Sequence, residues 1–267
     1  MSVTMVYDIE TIPDIRLGRR LLALPDSSSD EEVKDGMLAR RSLQTQGSST
    51  FLPPHLHQIV CISVVVSTSE WVKVWSLGDS DSNEADIIFR FFEGIQRYSP
   101  NLVSWNGSGF DLPVLHYRSL YHGVSSPRYW ETGEHDPGFR WNNYLSRYHQ
   151  RHTDLMDVLA GYQSRANAPL DEIALLLGLP GKMGMHGSEV WDKFQAGHLE
   201  EIRNYCETDV LNTYLIYLHF QYIRGQFDQL ELDGLKERLK THLLSMVKPH
   251  HLAFLEAWQS DGQITKR

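Results

Sequence analysis

Apolar residues recur along this chain in two rhythms, and each predicts a different element. Val3–Tyr7 is a short apolar run of β-formers that ends at Asp8 and is closed by Pro13, which predicts a buried strand. Gln58–Thr68 (QIVCISVVVST) is the strongest strand signal, and Glu70–Leu77 alternates apolar and polar positions, so the two predict a hairpin. Asn83–Tyr98 places Ile87, Ile88, Phe91, Phe92 and Ile95 on one helical face before Pro100 and Asn101 break it. Leu102–Trp105 reads as a further strand, Asn106–Gly109 as a turn and Asp111–His122 as a helix.

The second half is mostly helical. Residues 123–150 are aromatic, polar and irregular, and His152–Tyr162 reads as helix or as strand then helix. Leu170–Leu177 is a helix stopped by Gly178 and Pro180, and Gly181–Gly187 is a flexible loop. Ser188–Gln195 opens a helix, Leu199–Gly225 is one long helix, and Gly234–Met246 and His251–Trp258 are terminal helices. Ser27–Thr50 differs in kind: serines, charges and glycines predict a surface insertion with one short helix at Glu31–Gln44. Early strands that include a hairpin, followed by helices, predict an α/β fold with a mixed sheet. The expected organisation is one domain over 1–224, with 12–57 inserted between its first two strands, and a helical extension over 225–267 packed on the same domain.

Composition narrows the function classes. The 267 residues are 41% hydrophobic and 22% charged, which excludes a wholly disordered chain. No segment is long and apolar enough to predict a membrane span. The start, MSVTMVYDIET, has no secretory pattern, and Cys61 and Cys206 are too few for a disulfide framework, so a reducing cytoplasm is the expected setting. A net charge of −9 argues against a broad basic face for nucleic acid, yet a site for divalent cations itself requires clustered carboxylates.

Three patterns carry candidate chemistry. Asp8 and Glu10 are two apart on a predicted strand and share a face, where they repel unless a cation or solvent compensates. Asn106 and Phe110-Asp111 follow a strand and open a helix. Tyr205 and Asp209 stand one turn apart on the long helix. Taken singly, these read as a solvated strand end, a capped turn, and a helical Tyr with a surface Asp. In this order the three together resemble the DEDDy group of 3′–5′ exonucleases on the ribonuclease H-like fold. They are most similar to stand-alone predicted exonucleases related to the proofreading domain of family B DNA polymerases. The resemblance spans residues 3 to about 220 and includes Pro54…His57-Gln58-Ile59-Val60-Cys61-Ile62-Ser63, His152-Thr153-Asp154-Leu155-Met156-Asp157 and Gly181-Lys182-Met183-Gly184-Met185. In the histidine branch the water-orienting residue stands five before the last Asp; here that position is Asn204, so Tyr205 fits the tyrosine branch.

That resemblance implies two divalent ions, Mg²⁺ or Mn²⁺, held by Asp8, Glu10, Asp111 and Asp209, with Tyr205 orienting the attacking water and the 3′ end of a single-stranded nucleic acid as substrate. Asn106, Phe110 and Lys182 are candidate substrate contacts, and Asp154 either supports the site or caps the following helix. Arg40, Arg41, Arg147 and Arg151 read as phosphate contacts or as ordinary surface charge. The competing expectations are a non-catalytic nucleic-acid-binding module and a component of a replication or repair assembly docking through 12–57 or 225–267.

Overall fold

The computed structural model describes residues 3–261. Five strands form one sheet: β1 (Thr4–Pro13), β2 (His57–Ser67), β3 (Val72–Ser76), β4 (Asn101–Ser104) and β5 (His152–Asp154), in the order β3-β2-β1-β4-β5. β1 pairs antiparallel with β2, and β2 with β3; β1 pairs parallel with β4, and β4 with β5. The helices are α1 (Ile15–Leu21), α2 (Asp30–Gln44), α3 (Glu84–Tyr98), α4 (Asp111–His122), α5 (Pro127–Trp130), α6 (Leu155–Leu159), α7 (Leu170–Leu176), α8 (Val190–Gln195), α9 (Leu199–Ile223), α10 (Gln229–Met246) and α11 (Pro249–Asp261). Helices lie on both faces of this mixed sheet, which is the ribonuclease H-like arrangement with a helical C-terminus.

Strand alternation sorts the two cores. Met5, Tyr7 and Ile9 of β1 pack with Phe91, Phe92, Ile95, Val114 and Leu115 of α3 and α4. Val6 points the other way, into a core built on Val210, Leu211, Tyr214 and Leu215 of α9. Asp8 and Glu10 share the parity of Val6 and therefore face α9. Along β2 the pairing Glu10↔Cys61 is followed by Thr11↔Ile59, so Val60 is an extra residue. This bulge reverses the faces: Ile62, Val64 and Val66 pack on the α3 side and so does Ile59, although its odd number would otherwise put it opposite them.

Three boundaries differ from expectation. β1 runs to Pro13, so Asp8 and Glu10 lie inside the strand rather than at its end; antiparallel pairing with the longer β2 carries it past the apolar run. The insertion holds two helices, not one. Asp14 caps α1 by accepting the Leu17 N–H, and Ser29 with Glu32 forms a capping box at α2. α10 begins at Gln229 because Asp228 and Glu231 make a second capping box. Residues 123–150 are irregular apart from α5 and one short turn, and 152–162 forms β5 then α6.

The C-terminal helices close the structure. Leu232, Leu239 and Leu243 of α10 and Phe254 and Leu255 of α11 are buried in the α9 core. α10 also covers the outer edge of β3, where the Val74 N–H donates to His242 Nε2 at 3.2 Å. Among the described residues, no helix is long and apolar enough to cross a membrane.

Candidate active site

The site forms where β1, the N-terminus of α4 and the middle of α9 meet. Pairing with β4 stops at Val6, so beyond that point this edge of β1 faces the turn at Asn106–Gly109. The turn is built to a tight specification. Asn106 adopts φ 62°, in the left-handed region that Asn tolerates, and its carbonyl accepts the N–H groups of Gly109 at 3.0 Å and Phe110 at 3.1 Å. A side chain on Gly107 would meet Ser104 Oγ at 2.3 Å and Tyr7 Oη at 2.8 Å. From across β4, the buried Asp154 carboxylate accepts the N–H of Asn106 and of Ser108, both at 2.9 Å, and caps α6 through Asp157 N at 3.4 Å. Both expected roles of Asp154 are therefore present, and its shorter bonds go to the turn. This fixes Phe110 and Asp111 at the start of α4.

Asp8, Glu10, Asp111, Tyr205 and Asp209 converge. Glu10, Asp111, Tyr205 and Asp209 are buried and Asp8 is half-buried. Burial, then the nearby Asp111 and Asp209 charges, push the Asp8 carboxyl well above its usual range. Burial and then Asp8 and Asp209 do the same to Glu10. Burial raises Asp111 to about 7, against the lowering effect of main-chain N–H groups that include Ile9. Burial raises Asp209 to about 6, opposed by the Tyr205 hydroxyl and Lys182. Tyr205 is itself held far above its usual value, by burial first and then by Asp209, Glu10 and Asp8. The common physical cause is several carboxylates facing one another with too little counter-charge, which a bound cation relieves.

The donor set fits hard divalent cations. Ligand atoms of Asp8, Glu10 and Cys206 lie within 4.8 Å of one another. Asp209 Oδ1 is buried with no hydrogen-bond partner, an arrangement that costs free energy unless something else binds there. Oxygen-rich ligands of this kind suit Mg²⁺ or Mn²⁺.

The flanking residues divide. Lys182 is exposed, with Nζ 6.0 Å from the centre of the Tyr205 ring. Its loop is pinned to α9 by Asn212 Nδ2, which donates to Gly181 O at 2.8 Å, and to α7 by Asp171, which accepts the Lys182 N–H at 2.6 Å. Phe110 packs on the other rim, 4.9 Å from His57 and 5.3 Å from Phe51 between ring centres. Cys206, which the sequence marks only as a thiol, lies 3.6 Å from Asp8 Oδ2. Asn212 had a usable signal, three residues after Asp209 on the same helix; Asp171 and Phe51 had none, because only folding brings them near.

A second polar cluster occupies another face of α9. Glu207, 2% exposed, accepts from Ser76 N at 3.0 Å, Lys248 Nζ at 3.0 Å, His250 Nε2 at 2.8 Å and His251 Nε2 at 2.9 Å. An ionised carboxylate only accepts, so both imidazoles present protonated Nε2. The buried His251 Nδ1 has no partner, whereas a metal-bound imidazole ordinarily donates its second N–H. Glu207 is thus a lock that ties the start of α11 and the edge strand β3 to α9. Its carboxyl is held far below the usual range by these donors despite burial.

A buried carboxylate cluster at the heart of a ribonuclease H-like sheet, facing a helix that carries Tyr and Asp one turn apart, defines a nuclease-type domain. Residues 49–258 match the family described as predicted 3′–5′ exonucleases related to the exonuclease domain of PolB, and the chain belongs to that family. A 146-residue stretch, 53% of the chain, is 26% identical to the large catalytic polypeptide of DNA polymerase epsilon from Dictyostelium discoideum and covers 6% of that protein. The matched family segment begins after Asp8 and Glu10 and excludes α1 and α2.

Proposed function

We propose that this chain is a metal-dependent 3′–5′ exonuclease of the tyrosine branch. It hydrolyses the terminal phosphodiester of a single-stranded nucleic acid and releases nucleoside 5′-monophosphates. The observation that carries this reading is the buried convergence of Asp8, Glu10, Asp111 and Asp209, with Asp209 Oδ1 unpartnered, beside Tyr205. Asp8, Glu10, Asp111 and Asp209 would hold two divalent ions, Mg²⁺ or Mn²⁺. When bound, such ions lower the pKa of water and stabilise the attacking and leaving oxygens of an in-line displacement.

The chain's own residues do the rest. Tyr205 is un-ionised near neutral pH, so its hydroxyl orients the attacking water rather than removing its proton. Lys182 meets the substrate phosphate from one rim, and Phe110 offers a ring to the terminal base from the other. Asn106 acts through the turn that carries Phe110 and Asp111, and Asp154 fixes that turn. Residues 1–224 constitute the catalytic domain, and 225–267 are an extension secured to it through Glu207.

The test uses 5′-labelled single-stranded DNA and RNA of one sequence with Mg²⁺, Mn²⁺ or EDTA, on wild type and Asp8→Ala. The expected result is a metal-dependent ladder shrinking from the 3′ end that Asp8→Ala lacks. Folded protein that shortens neither polymer with either metal overturns the proposal and leaves a non-catalytic binding role.

A further inference from the structure

The insertion between β1 and β2 spans the mouth of the carboxylate cleft. At one end, Glu31 at the start of α2 accepts a hydrogen bond from Trp191 Nε1 of α8 at 2.8 Å. At the other, Phe51 meets Phe110, the residue before Asp111. Charge is sorted along α2 in the same sense. Asp30, Glu31 and Glu32 fill its first turn, whereas Arg40 and Arg41 lie near its end. Arg41 Nε donates to Phe51 O at 2.9 Å, and Arg40 donates to Leu21 O at 3.1 Å. Both bonds end on main-chain carbonyls, and among the described residues neither guanidinium has a carboxylate partner. Arg40, Arg41 and His55 line one small hollow of about 140 Å³. Aromatic rings continue beside it: His55 lies 5.8 Å from Tyr117 between ring centres. Phe51 is 61% and Tyr117 49% exposed.

Exposed aromatic rings interleaved with carboxylate-free guanidinium groups are what a single polynucleotide strand requires, with bases stacking and phosphates neutralised. We infer that α1, α2 and the Phe51 segment form a strand-guiding surface. It leads single-stranded nucleic acid from the carboxylates across Phe110 and Phe51 to Arg40 and Arg41. The inference rests on the exonuclease reading and extends it, because it gives the insertion a function and sets the path of the strand upstream of the 3′ end. A strand is favoured over a protein partner by charge complementarity: a chain with a net charge of −9 presents two carboxylate-free arginines here, next to rings in line with the cleft.

The experiment measures binding of fluorescein-labelled 20-mers of deoxythymidylate and of uridylate by anisotropy, with Ca²⁺ in place of Mg²⁺. It is paired with Mg²⁺-dependent hydrolysis of a dinucleotide and of the same 20-mers. The variants are Arg40→Ala/Arg41→Ala, Arg40→Lys/Arg41→Lys and Phe51→Ala, with Arg90→Ala of α3 as control. Arg40→Ala/Arg41→Ala is expected to weaken 20-mer binding about tenfold and to flatten the plot of log affinity against log salt by about 1.4 for two lost phosphate contacts. Phe51→Ala is expected to weaken binding about fivefold or more with the salt slope unchanged. The Lys pair restores the slope. In hydrolysis, KM for the 20-mer rises while kcat on the dinucleotide stays at the wild-type value, and Arg90→Ala changes neither. Wild type that degrades the 20-mer, with variants that bind it at wild-type affinity and slope, overturns the strand-guiding surface alone. Wild type that neither binds nor degrades the 20-mer removes the exonuclease reading and this inference together.

Discussion

Asp154 at the end of β5 holds the main-chain N–H of Asn106 at 2.9 Å, and through that one contact a residue outside the carboxylate cluster sets where the cluster's Asp111 begins its helix. Asp154→Ala leaves the N–H groups of Asn106 and Ser108 without their acceptor. Unsatisfied buried donors cost about 1–3 kcal/mol each, so the expected loss of stability is about 2–4 kcal/mol in denaturant titration. Isothermal titration should show weaker divalent-metal binding as well. A variant that loses stability and keeps wild-type metal affinity would mean that the turn does not position Asp111.

Tyr205→Phe separates orientation from packing. The ring stays in its buried cluster with Ile12, Met185 and Cys206, so the melting temperature should change little. Losing the group that aims the water should lower kcat by up to about 100-fold with metal affinity unchanged. An active variant with wild-type kcat would exclude Tyr205 from the reaction.

The acids of the site make the metal-free protein sensitive to pH. An Asp titrates near 3.9 in an unfolded chain, but burial raises Asp111 to about 7 and Asp209 to about 6. The folded state therefore binds protons more tightly. Its relative stability is greatest below about pH 4 and falls as pH rises through 6 to 7. Calorimetry in EDTA should show this decline, and Asp209→Asn should flatten it. Excess Mg²⁺ should raise the melting temperature more at pH 7.5 than at pH 5. Superimposable wild-type and Asp209→Asn curves in EDTA would contradict the electrostatic account.

Glu207→Ala tests the lock. It strands Lys248, His250 and His251 opposite a void, and breaking a buried charge pair costs about 3–5 kcal/mol. Hydrogen exchange should rise first in α10 and α11, which lose their tie to α9. Protection that falls uniformly across the sheet would show that Glu207 does not act locally.

Much of this architecture is legible in the sequence because its signals are local. Gln58–Thr68 reads as strand from β-branched runs, and Asn83 caps α3 where the periodicity begins. The Asp8/Glu10, Asp111 and Tyr205/Asp209 patterns are each contained within a few neighbouring residues, so their spacing survives without knowledge of the fold. What was illegible depends on distance. β1 extends through Glu10 to Pro13 only because β2 pairs with it, and α1 hides in IRLGRRL, whose Gly18 lowers its helical signal and is needed for close packing on Met37. Glu207 looks like one more helical acid until Lys248, His250 and His251 arrive from the far end of the chain.

The extra residue Val60 has a consequence for how the protein tolerates deletion. From Cys61 to Ser67, β2 deals its odd-numbered side chains to α9; before Val60 the deal is reversed, and His57 is sent to the α4 side, where it meets Phe110 and bonds Thr11 at 2.9 Å. Removing Val60 alone would work like a frameshift written in three dimensions. Nothing in the sequence before it would change, yet His57 would pass through the sheet and take with it the support beneath Phe110.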